Sequence, residues 1–174
     1  MIELVYGGSG SGKSAFAESE AVNKSSGCRY YLATMNSSDD ESKKRIRRHQ
    51  ELRKGKGFFT IEAPYDIGEA SSRIEKDSTV LLECLSNLVA NEMFRGGNII
   101  GIDAVVEKVF KDIKEVERNC SSLIIVSNNI FEDGTEYDEV TRNYMKALAV
   151  LNIKLAEEAD VFYEVVSGNP CRIK

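Results

Sequence analysis

Gly7-Gly8-Ser9-Gly10-Ser11-Gly12-Lys13-Ser14 is the stretch of this 174-residue chain whose residue types and spacing most clearly do chemistry. The apolar run Ile2 to Tyr6 precedes it, and the helix-prone Ala15-Phe16-Ala17-Glu18 follows. Strand, glycine-rich loop and helix form the context in which G-x-x-x-x-G-K-S binds a polyphosphate. Glycines let backbone N–H groups approach phosphate oxygens, and the new helix adds unpaired N–H donors and the positive end of its dipole. Lys13 is placed to reach the terminal phosphates, and the Ser14 hydroxyl to ligate Mg²⁺. The competing reading is a flexible Gly/Ser turn between a strand and a helix.

A second stretch has a different chemistry. Lys43, Lys44, Arg45, Arg47, Arg48, Arg53, Lys54 and Lys56 stand against one acid, Glu51. The apolar Ile46 and Leu52 fall about 120° apart on a helical wheel, so a helix here has no broad core face and belongs on the surface. Arg45, His49 and Arg53 are spaced four apart and share one side of that helix. His49 is the only histidine. Three readings stand: a solvated charged helix, an arginine-rich contact to nucleic-acid phosphates, or a nucleophilic histidine among phosphate-binding cations. Neighbouring positive charge favours neutral imidazole, the nucleophilic form.

The elements that must position these residues alternate. Strands are expected at Ile2 to Tyr6, Arg29 to Ala33, Phe58 to Glu62, Thr79 to Cys84, Leu123 to Ser127 and Val161 to Val166. Helices are expected at Ser14 to Asn23, about Asp40 to Lys54, Asp66 to Lys76, Leu85 to Phe94, Gly101 to Arg118 and Glu136 to Glu158. Ile102, Val105, Val109, Ile113 and Val116 mark the core face of the fifth of these, and Val140, Tyr144, Leu148, Leu151 and Leu155 that of the sixth. Cys171 to Lys174 reads as a short antiparallel strand. The pattern is α/β: a P-loop (RecA-like), mainly parallel sheet flanked by helices, in one nucleotide-binding domain spanning 1–174.

Hydrophobic residues make up 42% and charged residues 29% of the chain, as expected of a soluble globular protein. The net charge of −5 supplies no global basic field for nucleic acid. No apolar run approaches the roughly 18 residues of a membrane span, and no secretory signal opens the chain. Cys28, Cys84, Cys120 and Cys171 form no C-x-x-C pair. Structural zinc and disulfides are not expected, and a reducing cytoplasm fits.

The chain resembles the bifunctional adenosylcobinamide kinase / adenosylcobinamide-phosphate guanylyltransferase family along nearly its whole length. The resemblance runs through Gly7-Gly8 with Ser11-Gly12-Lys13-Ser14, Tyr31-Leu32-Ala33-Thr34, and Asp39-Asp40-Glu41 followed by Arg45-Ile46, His49 and Arg53. It continues through Glu62-Ala63-Pro64, Leu81-Leu82-Glu83-Cys84, Val126-Ser127-Asn128, Arg142, Asn152 and Val165-Val166-Ser167-Gly168. It implies phosphorylation of the aminopropanol hydroxyl of adenosylcobinamide by ATP or GTP. It also implies transfer of GMP from GTP to His49 and on to adenosylcobinamide phosphate, giving adenosylcobinamide-GDP.

Catalysis would rest on His49 and Lys13. Nucleotide contacts would fall on Gly7 to Ser14, on Ala33, Thr34 and Met35, on Arg45, Gln50, Glu51, Leu52 and Arg53, and on Glu62 and Glu83. Ser14 and Glu83 would hold Mg²⁺. The family's trimer is a further expectation. Departures from the family pattern include Gly10 for arginine, Asn129 for glutamate, Phe131 for glycine, Ser42 for methionine, Lys54 for proline and Ala149 for glycine. Losing a carboxylate at 129 bears on the kinase step, whereas Arg45, His49, Arg53 and Glu62 are all present. Two other classes remain open: a P-loop kinase for another small molecule, and a RecA-like ATPase that grips nucleic acid. Against the latter stand the net charge and the lack of aromatic residues in the basic stretch.

Overall fold

The computed structural model describes residues 1–25, 27–36, 44, 47, 50, 51, 53–132 and 134–174. Its sheet has seven strands: β1 (Ile2–Gly7), β2 (Arg29–Ala33), β3 (Phe58–Glu62), β4 (Thr79–Glu83), β5 (Ser122–Asn128), β6 (Val161–Val166) and β7 (Asn169–Arg172). They lie in the order β3-β2-β4-β5-β1-β6-β7. All neighbours pair in parallel except β6 and β7, which form an antiparallel hairpin. The strand carrying the glycine loop is therefore separated from β4 by one strand, β5. Among the described residues, the α-helices with both ends described are α1 (Lys13–Lys24), α2 (Ile67–Ala70), α3 (Leu85–Met93), α4 (Ile102–Arg118) and α5 (Glu139–Glu158).

Central strands of a parallel sheet are covered on both faces, so they read as continuous apolar runs. Alternation then divides each strand between two cores. Ile2, Leu4, Leu32, Leu82, Leu123 and Ile125 face Val105, Val109 and Ile113 of α4 and Leu148, Leu151 and Leu155 of α5. Val5, Tyr31, Leu81, Ile124, Val126 and Val165 face Ala17 and Ala21 of α1. Each fully buried Leu, Ile or Val contributes roughly 1.5–3 kcal/mol relative to exposure. No disulfide links the four cysteines. Among the described residues no helix is long and apolar enough to cross a membrane.

Three expectations are corrected or left open. The single helix from Asp66 to Lys76 is instead the short α2 followed by a 3₁₀ turn, Ser71–Arg73. Gly68, Ser71 and Ser72 are weak helix formers, and a Cβ at Gly68 would lie 2.9 Å from Asp112 Oδ1. On α5 the core face begins later than periodicity suggests: Val140 is 40% exposed, and full burial starts at Ala147. The basic helix lies largely outside the described residues. Within it, Lys44, Arg47, Gln50, Glu51 and Arg53 are helical, and the chain turns at Gly55, with φ 83°.

A charged cluster ties α2, α3 and α4 together. Lys108 Nζ donates to Glu92 Oε1 at 2.7 Å, Asp66 Oδ1 at 2.9 Å and Asp112 Oδ2 at 3.0 Å. Glu92, at 1% exposure, also accepts from the Asp66 backbone N–H at 2.7 Å.

Candidate nucleotide site

The parallel strands end together, at Gly7, Ala33, Glu62, Glu83 and Asn128, along the carboxyl edge where open α/β sheets take ligands. The loop from Gly8 to Gly12 leaves β1 here and enters α1, with the Phe16 N–H donating to the Gly12 carbonyl at 3.0 Å. Two of its glycines have a steric reason. Gly12 has φ 90°, open to glycine and strained for other residues. A Cβ on Gly7 would sit 2.6 Å from the Val165 carbonyl. The β6–β7 turn buttresses the loop, since the Gly168 N–H donates to the Ser11 carbonyl at 2.8 Å.

Lys13 is 8% exposed, and its ammonium donates to the Gly8 carbonyl at 3.0 Å. Burial lowers its pKa from the ordinary lysine value, with Cys84 and Glu83 acting in the other direction. Ser14 donates its hydroxyl to Glu83 Oε1. The other oxygen of Glu83 accepts from the Tyr31 hydroxyl at 3.0 Å. A hydroxyl and a carboxylate side by side at the mouth of a phosphate loop form the hard-oxygen donor set that Mg²⁺ takes together with substrate phosphates.

The β2 end is held from within. Thr34 is fully buried; its N–H donates to the Glu83 carbonyl at 3.0 Å and its hydroxyl to the Cys84 carbonyl at 2.8 Å. Its own carbonyl accepts from Asn91 at 2.7 Å. All the polar groups of Thr34 are thus engaged inside the protein, while Ala33 and Met35 beside it are half-buried. Glu62 is exposed, as are Ser9 and Gly10.

Gln50 and Glu51 are exposed, but Arg53 is only 6% exposed. Its guanidinium carbon lies 3.4 Å from the centroid of the Tyr31 ring, a cation–π stack. Among the described residues, Arg53 Nε and Nη1 are buried with no hydrogen-bond partner. Gln50, Arg53, Lys54, Gly55, Gly57, Phe58 and Thr60 line a cleft of about 410 Å³ around it. Donors of this kind need an acceptor, and an anionic ligand supplies one. His49, Arg45 and Leu52 lie outside the described residues.

On the other side of the loop a cleft of about 530 Å³ is lined by Gly8, Asn129, Ile130, Glu132, Tyr137, Thr141, Tyr144 and Met145. The first turns of α5 form its wall. Behind it, Tyr144 donates to the Ser86 carbonyl at 3.2 Å and Asn128 Nδ2 to Ser86 Oγ at 2.5 Å. Burial, then the nearby Cys84 sulfur, pushes the Tyr144 phenol up to about 12.

Sequence reasoning missed Tyr31, Gly168 and Glu132 as parts of this edge. Tyr31 carried one signal, a polar-tipped aromatic two residues before a strand end. Gly168 entered the sequence reading only within the resemblance stretch Val165-Val166-Ser167-Gly168, and Glu132 carried no signal apart from its loop position.

The chain matches the CobU family model, described as cobinamide kinase / cobinamide phosphate guanyltransferase, over residues 3–173. Bifunctional adenosylcobalamin biosynthesis protein CobU of Escherichia coli (strain K12) is 29% identical over 184 residues, covering 100% of both chains. Its counterpart in Salmonella typhimurium is 28% identical, again covering 100% of both. Bifunctional adenosylcobalamin biosynthesis protein CobP of Pseudomonas aeruginosa is 26% identical, covering 100% of this chain and 98% of that one. Among solved structures, the flagellar accessory protein FlaH from Methanocaldococcus jannaschii gives a TM-score of 0.49 at 15% identity, covering 99% of this chain and 77% of that one.

Proposed function

The chain belongs to the cobinamide kinase / cobinamide phosphate guanyltransferase family, a family of transferases, and from that premise we propose that it carries out both transfers in cobamide nucleotide-loop assembly. The observation that carries the reading is the Lys13–Ser14–Glu83 arrangement at the mouth of the loop, joined to a family match over residues 3–173. Phosphoryl transfer asks little covalent chemistry of a protein; it asks for positioning and for positive charge around the phosphates. Backbone N–H groups from Gly8 to Ser14 and the Lys13 ammonium supply these. Ser14 and Glu83 would hold Mg²⁺, which neutralises phosphate charge when bound.

In the kinase reaction the hydroxyl of adenosylcobinamide attacks the γ-phosphorus of ATP or GTP. The bond to the β-phosphate oxygen breaks, and the hydroxyl proton is released. In the guanylyl reaction a ring nitrogen of His49 attacks the α-phosphorus of GTP, pyrophosphate leaves, and the imidazole loses its proton. The phosphate of adenosylcobinamide phosphate then attacks the GMP phosphorus and frees His49. Splitting a difficult transfer through a covalent intermediate is nucleophilic catalysis. The Arg53 donors, unpartnered among the described residues, support an anionic ligand on the basic stretch that also carries His49 in sequence. We extend the proposal to a homotrimer, as the family resemblance implies, acting in a reducing cytoplasm, which the unpaired cysteines fit.

Intact-mass spectrometry after incubation with GTP and Mg²⁺ tests this directly. A mass increase of one GMP, labile in acid and stable in base, is expected. A protein that binds GTP but never gains GMP would instead be a P-loop kinase.

A further inference from the structure

We propose that Tyr31 is a positioning residue for both halves of the nucleotide site, its hydroxyl fixing the Glu83 carboxylate toward Ser14 and its ring carrying the Arg53 guanidinium; the inference deepens the transferase reading and rests on it.

The placement follows from the sheet. Tyr31 pairs in register with Leu81, and Ala33 with Glu83. Strand alternation puts Tyr31 and Glu83 on the same face, one pleat apart, so the phenol reaches diagonally to the carboxylate. Tyr31 is 4% exposed, and its hydroxyl donates to Glu83 Oε2 at 3.0 Å. Ser14 holds the opposite oxygen. The terminal torsion of a glutamate is broad and roughly two-fold when free. Held by one bond at each oxygen, it is fixed. Ser14 then gives its hydrogen to the carboxylate and keeps its lone pairs for a cation.

The ring does separate work. A guanidinium 3.4 Å above an aromatic centroid is supported without using its N–H groups. Among the described residues, nothing accepts from the buried Arg53 Nε and Nη1, which leaves them for an anionic ligand. Phenylalanine would keep the shelf and lose the carboxylate bond. Leucine would lose both.

The test is binding of the α,β-methylene analogue of GTP, whose α–β bridge cannot be broken by transfer, measured by calorimetry on the full chain, once with Mg²⁺ and once with EDTA. Tyr31→Phe should weaken the analogue about tenfold with Mg²⁺ and hardly at all in EDTA, as expected from losing one hydrogen bond to a charged group. Tyr31→Leu should lose about a further tenfold in both conditions, and that second loss should vanish in an Arg53→Ala background. If Tyr31→Leu fails to fold, Arg53→Lys replaces it, since a compact ammonium does not lie flat on the ring as a guanidinium does. Equal losses with and without Mg²⁺ for Tyr31→Phe, or full retention of analogue affinity by Tyr31→Leu or Arg53→Lys, would overturn the proposal. Binding is read without turnover, so a wild-type protein that forms no GMP adduct counts against the transferase reading alone.

Discussion

The Lys13 ammonium donates to the Gly8 carbonyl at 3.0 Å, closing the phosphate loop on its own lysine. A point charge buried at 8% exposure with one neutral acceptor is under-compensated. A polyphosphate would complete its shell by replacing or joining that carbonyl.

Lys13→Ala should therefore weaken GTP binding about 100-fold, the scale of losing charge-assisted hydrogen bonds in a partly desolvated site. The nucleotide-free protein should behave in the opposite sense. Burial depresses the Lys13 pKa, so its stability contribution is present above the unfolded lysine pKa and lost as pH falls through the folded value. At neutral pH the charge is a stability cost, and the variant should have a Tm no lower than wild type by differential scanning fluorimetry. Unchanged GTP affinity in the folded variant would remove the loop from the phosphate site.

The loop was legible because its signal is local: glycine spacing, lysine and the flanking periodicities lie within about 18 residues. Most strand boundaries followed for the same reason, Val161–Val166 standing as read, whereas the C-terminal strand expected at Cys171 to Lys174 stands at Asn169–Arg172. What could not be read depends on register. The Tyr31–Glu83 bond exists because β2 lies beside β4, a pairing of residues 52 apart in the chain. Arg53 looked like one more cation on a solvated helix; its burial is decided by a ring on another element. Val140 fits the apolar stripe of α5, but the sheet does not extend far enough to cover it.

The Lys108 cluster should govern acid stability. Its hydrogen bond from Lys108 holds the Asp66 carboxyl below the usual range, with burial opposing and Arg95 assisting. A depressed folded pKa gives stability that is present above the unfolded carboxyl pKa and lost as pH falls through the folded value. Asp66→Asn should flatten the fall in Tm below about pH 4. Lys108→Ala is the severe change, because it leaves Glu92 buried at 1% exposure with its main cation gone. Removing one partner of a fully buried pair costs about 3–5 kcal/mol; with Lys108 a third exposed and Arg95 still 3.9 Å from Glu92, a smaller loss is expected, measurable by urea unfolding.

His49→Asn should abolish the GMP mass increase while GTP still binds, since phosphate recognition by Gly8 to Ser14 does not require the imidazole. Kinase turnover on adenosylcobinamide should persist in the same variant. Retention of the adduct would assign the nucleophile elsewhere.

In the proposed kinase step the alcohol would enter by the cleft beside Gly8. Asn129 lines it and is an amide, which accepts no proton in transfer, while Glu132 lines the same cleft and carries a carboxylate. The alcohol attacking a γ-phosphorus held at Gly8 would enter from this side of the loop, and a carboxylate within reach of its hydroxyl contributes typically 10²–10⁴-fold as a general base. An exposed loop carboxylate is less well placed than one at a strand end. Kinase turnover with adenosylcobinamide should accordingly be slower than guanylyl transfer to adenosylcobinamide phosphate. Asn129→Glu should raise the kinase rate without changing the yield of GMP adduct. Glu132→Gln should lower the kinase rate about tenfold or more, again with the adduct unchanged. A kinase rate equal to the transferase rate in wild type, and indifferent to Glu132→Gln, would show that neither position supplies the base.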